Sequence, residues 1–121
     1  ADYAKRVLTA LDLAGCFEGI IAIEGMRVFG DLRPKPDVRM LRVVLARHKL
    51  PAHRCVLVED TVANLRSAHQ LGLRTVWMQH YLKDNPHGPE AGIGLHGRPP
   101  WVCVRIKKLR ALHQWRTQAA R

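Results

Sequence analysis

The sequence predicts an α/β fold built on a parallel sheet with flanking helices. Short β-branched apolar runs alternate with stretches whose apolar residues recur at helical spacing. Glycines and prolines punctuate the junctions. Residues 2–14 place Val7, Leu8, Leu11 and Ala14 on one helical face, with Gly15 expected as the closing residue. Gly19-Ile20-Ile21-Ala22-Ile23 reads as a buried strand, and residues 24–35 as a loop marked by Gly25, Gly30 and Pro34. Pro36 suits the first position of a second helix running to about His48, with Val38, Leu41, Val44 and Leu45 inward.

Arg54-Cys55-Val56-Leu57-Val58 is expected to be a second strand, ending at Glu59-Asp60. Thr61 then caps a helix that buries Val62, Leu65, Ala68 and Leu71 and is closed by Gly72. Arg74-Thr75-Val76-Trp77-Met78 follows as a strand. A long loop over 79–100 holds four glycines and four prolines. Residues 101–106 read as a last strand and 107–116 as a terminal helix, so that 1–106 form the α/β core and 107–121 a basic helix and tail.

At 121 residues the chain has room for one domain. Its 47% hydrophobic content argues against disorder, and no apolar run approaches the ~18 residues of a membrane helix. There is no signal-peptide pattern. Cys16, Cys55 and Cys103 are far apart and form no CxxC pair, so they read as reduced core residues of a cytoplasmic protein. The seven histidines show no HxxxH or Cys-His cluster and read as surface and loop residues.

The net charge of +10 points first to a nucleic-acid partner. Its distribution weakens that reading. Residues 1–37 hold 5 basic and 6 acidic side chains, residues 38–90 hold 8 and 4, and residues 91–121 hold 7 and none. The excess belongs to the terminal segment. A basic nucleic-acid-binding module using that segment, with Trp101 and Trp115 as stacking residues, is the alternative function, and a solvated basic helix is the plainer one.

Ligands of open α/β sheets sit outside the carboxyl ends of the strands, where Glu59 and Asp60 are placed. Two adjacent carboxylates leaving a buried strand need compensation. Mg²⁺ supplies it, taking one or two carboxylates, several waters and phosphate oxygens. Alternatively both acids serve the turn and the first helical turn, where the dipole favours them. Lys35, stiffened between Pro34 and Pro36, suits the neutralisation of a phosphate; otherwise it is an exposed loop lysine. Asn64, one turn beyond Asp60, either orients these groups or partners Thr61 in a capping-box-like pair.

In order, Arg33-Pro34-Lys35-Pro36, the run Val56 to Leu65, and the run Ala68 to Trp77 resemble the second half of haloacid-dehalogenase-like phosphohydrolases. The nearest type is the pyrimidine 5′-nucleotidase type, whose members similarly end in a strand and helix after an Arg-Pro, as in Arg98-Pro99 and the residues to 112. The resemblance implies a Rossmannoid sheet and hydrolysis of phosphate monoesters, including nucleotide 5′-phosphates. It implies Lys35 steadying the transferred phosphoryl group and Glu59 and Asp60 holding Mg²⁺, with Thr61 and Asn64 supporting them. In such enzymes an aspartate attacks the phosphorus in line and water hydrolyses the aspartyl-phosphate.

The chain departs from that family in one large respect. No Asp-x-Asp occurs, the aspartates being residues 2, 12, 31, 37, 60 and 84. The nucleophile strand, the strand carrying the second motif's Ser or Thr, and the substrate-selecting cap have no counterpart. The expectation is the C-terminal portion of such an enzyme, inactive by itself. Its strands at 20–23 and 54–58 lack neighbours, so its stability should depend on a missing N-terminal segment or on self-association. The expected ligand is a small phosphate-monoester substrate in the complete enzyme, with no membrane partner and nucleic acid disfavoured.

Overall fold

The computed structural model describes residues 2–22, 25–32, 37–80 and 97–113. In chain order its elements are α1 (Asp2–Ala10), β1 (Arg27–Val28), β2 (Asp31–Leu32), α2 (Val38–Arg47), β3 (Val56–Glu59), α3 (Val62–Gln70), β4 (Arg74–Met78) and β5 (Val104–Ile106). Short 3-10 turns at Ala14–Cys16 and Ala52–Arg54 precede β1 and β3. The main sheet is parallel in the order β3-β4-β5, so the predicted α/β class is the observed one.

The core lies between this sheet and α3. Val62 and Leu65 of α3 meet Trp77 of β4 and Val102, with Leu57 and Trp101 packed at the margin. The central strand β4 is the most completely buried, Thr75, Val76 and Trp77 all having no exposed surface. A strand flanked on both sides and covered by a helix reads as a continuous apolar run, as this one does. The buried Thr75 hydroxyl donates to the Trp101 carbonyl at 2.6 Å and accepts from the Cys103 N–H at 3.1 Å, fastening the segment before β5 to the sheet.

The helices α1, α2 and α3 end in the same way. In α1 the Leu13 N–H reaches the Leu8 carbonyl and the Asp12 N–H that of Thr9. Leu50 and Lys49 do the same to Leu45 and Ala46 in α2, and Leu73 and Gly72 to Ala68 and His69 in α3. These are Schellman closures, each needing a left-handed residue. Asp12 (φ 55°), Lys49 (φ 52°) and Gly72 (φ 85°) occupy those positions. Only the third was legible as a glycine signal. The first helix therefore stops at Ala10, short of the expected Gly15, because an aspartate tolerates the left-handed conformation.

Three further corrections concern the first half. Residues 19–22 do not form the expected strand: Ile20 and Ile21 are 43% and 44% exposed. A lone extended segment has no ladder to satisfy its backbone, and no described strand lies beside it. The expected loop at 24–35 instead contains a hairpin, pairing Arg27 with Leu32 and Val28 with Asp31. Its two-residue turn, Phe29-Gly30, has positive φ at both positions (52° and 89°), as a primed turn requires. Finally, α2 starts two residues later than expected, at Val38, with Asp37 as the N-cap accepting the Arg39 N–H at 2.8 Å.

Cys16 and Cys103 are exposed and Cys55 is half-buried, all three free, so the expected core role fails for the first and last. Residues 107–110 are turns and helix begins at 111; the rest of the expected terminal helix, the 81–96 stretch of the long loop and residues 33–36 lie outside the described residues. Among the described residues no helix is long and apolar enough to cross a membrane.

Candidate functional site

Because β3, β4 and β5 are parallel, their carboxyl ends share one edge of the sheet. Glu59 is the last residue of β3 and pairs in register with Trp77, which in turn pairs with Arg105. Asp60 follows at the turn into α3. The chain must reverse there, so the acids are presented at the edge where the helix N–H groups are unpaired.

Glu59 is half-buried and Asp60 exposed. The Glu59 Oε1 accepts the Asp60 N–H at 3.0 Å and the Thr61 N–H at 3.4 Å. It thus holds the backbone of the turn that leads into α3. Thr61 is the N-cap by position, but no helix N–H reaches its side chain; its hydroxyl donates to the Asp60 Oδ1 at 3.3 Å. Asn64 lies half-buried one turn further, its backbone N–H donating to the Thr61 carbonyl at 3.1 Å. The buried Trp77 indole donates to the Asp60 carbonyl at 3.0 Å and pins the turn from below.

The two carboxyl groups are close enough to oppose each other's ionisation. A hydrogen bond with Glu59 is the main cause that raises the Asp60 carboxyl above its usual range. Burial and the Glu59 charge raise it further, while its own backbone N–H and the Thr61 hydroxyl pull it down. A pair that resists carrying two negative charges is one that a divalent cation relieves. The donor set, two carboxylates at an accessible edge, fits Mg²⁺ with water and substrate oxygens completing the shell. Among the described residues no group of three His, Cys, Asp or Glu side chains gathers to hold a metal by itself.

The structure thus brings together Glu59, Asp60 and Thr61, with Asn64 beside them on α3; Lys35 lies outside the described residues. Of the two acids, Glu59 holds the turn before α3 and Asp60 is the one exposed at the edge. Sequence reasoning missed Trp77. Its signal was an aromatic residue with a polar end in the strand after the helix that Asp60 precedes, where a buried indole N–H needs an acceptor.

Over residues 1–78 the chain matches the family described as haloacid dehalogenase-like hydrolases, a span that contains every element through β4 and both acids. No curated protein matches the sequence.

Proposed function

The chain belongs to the haloacid dehalogenase-like hydrolases, and from that premise we propose that it is the metal-binding, C-terminal portion of a Mg²⁺-dependent phosphohydrolase. Its substrate class is a small phosphate monoester, a nucleotide 5′-phosphate by its resemblance to the pyrimidine nucleotidase type. The observation that carries the reading is the pair at the carboxyl edge. Glu59 is held on the backbone of the turn and Asp60 stands exposed beside it.

Each residue has a distinct task. Asp60 offers its carboxylate to the cation and, through Thr61, keeps that carboxylate oriented. Glu59 holds the turn and adds the second negative charge. Lys35, which precedes α2 in the sequence, neutralises the phosphoryl oxygens, and Asn64 supports the site from α3. When bound, Mg²⁺ supplies charge stabilisation for the phosphoryl group in transit. The attacking aspartate belongs to an Asp-x-Asp motif that these 121 residues do not contain, so this chain alone is inactive.

An assay with Mg²⁺ and a chromogenic phosphate ester tests the reading. No turnover above buffer is expected. Turnover that disappears in Lys35→Ala or Asp60→Ala would show that the chain carries its own nucleophile and overturn the inactivity.

A further inference from the structure

Beyond the matched residues, the same sheet edge carries a second feature of opposite sign. The backbone N–H of Gln79 donates to the Ile106 carbonyl at 2.9 Å, extending the β4–β5 pairing to the end of β5 and fixing where Lys107 emerges. From there Lys107, Lys108, Arg110, Ala111 and His113 line an open depression of about 420 Å³. The Ala111 N–H donates to the Lys108 carbonyl at 3.0 Å and the His113 N–H to that of Arg110 at 3.3 Å, so the backbone carrying these side chains is held in a tight turn. No Asp or Glu follows Glu90 in the sequence, so no acid within the segment offsets them.

Three permanent cations and a histidine around a concave space of small-ligand size are suited to an anion with several oxygens. The register places this depression relative to the acids. Trp77 pairs with both Glu59 and Arg105, so Lys107 lies two residues past the level of Glu59 and two strands away. Neighbouring strands are ~4.8 Å apart and each residue advances ~3.3 Å, which sets the Lys107 backbone roughly 12 Å from that of Glu59.

We propose that Lys107, Lys108, Arg110 and His113 form an anion subsite for a second phosphate group of the substrate, distant from the one hydrolysed. The preferred substrate is then a small molecule carrying two phosphate groups. The second part of this assignment rests on the reading of Glu59 and Asp60 given above; the anion subsite does not.

Pyrophosphate in metal-free buffer is the probe, titrated calorimetrically into the intact chain. Binding is expected to weaken at least tenfold in the Lys107→Gln/Arg110→Gln double variant, both positions being exposed, and to be unchanged in Asp60→Asn. Equal binding in wild type and double variant would overturn the subsite. So would a random single-stranded oligonucleotide that binds more tightly than pyrophosphate and displaces it, which would assign the patch to nucleic acid. Pyrophosphate binding without any Mg²⁺ response at Asp60 would instead overturn the reading of the acids, and with it the two-phosphate substrate, while the anion subsite stands.

Discussion

The first half of the molecule holds more apolar residues than the second, yet among the described residues it buries fewer of them. Around β4, Leu65, Val76 and Trp77 have no exposed surface. In the first half, Tyr3 is 74% exposed, Leu11 61% and Phe17 53%, and Phe29 stands wholly in solvent at its hairpin tip. The difference is not one of composition but of opposing layers. In the second half α3 lies against β3 and β4, and β5 closes the other side of β4. In the first half α1 packs on the 3-10 turn that follows it, and the hairpin lies against α2, which in turn packs on α3, with Val28 and Met40 buried. An apolar stretch becomes core only where something covers it.

That contrast is broken most severely by truncating a residue on its well-packed side. Leu65→Ala should cost about 2–5 kcal/mol, whereas Phe17→Ala should stay within about 0.5 kcal/mol, since it empties no packed site. Urea unfolding of both variants measures this; similar losses would mean that the first half is packed as tightly as the second. Next in size is Thr75→Val. It keeps the shape but strands the Trp101 carbonyl and removes an acceptor from Cys103, for a loss of about 1–3 kcal/mol. A loss below that range would mean that water replaces the hydroxyl.

The helix ends sharpen the comparison further. Lys49 spends a left-handed conformation where α3 has Gly72. Lys49→Gly should therefore gain about 0.5–1 kcal/mol in the same unfolding assay, and Gly72→Ala should lose a similar amount.

What was legible in the sequence follows the same division. The span of β4, the body of α3 and the placement of Glu59 and Asp60 at a strand end could be read because β-branched runs, helical spacing and Gly72 agree with one another there. The strand expected at 19–23 could not be judged from Ile20 and Ile21 alone, because strand formation needs a neighbour that local sequence does not encode. The end of α1 was hidden because an aspartate performed a glycine's task. At the site, the position of the acids was visible but their division of labour was not. That the Glu59 carboxylate folds back on the turn before α3 depends on the local backbone path, and the Trp77 contact depends on the packing of β4 under α3.

The smallest effect concerns the pH dependence of Asp60. Its raised carboxyl means that the folded chain holds this proton more firmly than the unfolded chain. The stability so contributed is present at low pH and is lost as pH rises from the ordinary aspartate range through the raised folded value. Asp60→Asn removes that loss, so at neutral pH in metal-free buffer its melting temperature should exceed the wild type's by about 2 °C, the scale of a surface contact in a small domain. The gap should close below the ordinary aspartate range. A gap that stays constant with pH would trace to the asparagine itself.

Adding Mg²⁺ reverses that order and tests the acidic pair most directly. In thermal unfolding at neutral pH, a cation held at ten times its dissociation constant stabilises the wild type by about 1.4 kcal/mol, by linkage. The wild-type midpoint should climb with Mg²⁺, linearly in the logarithm of its concentration above the dissociation constant, overtaking Asp60→Asn, whose midpoint should stay where it was. Midpoints of the two proteins that move together with Mg²⁺, or a wild type that does not move, would contradict a cation site at Glu59 and Asp60.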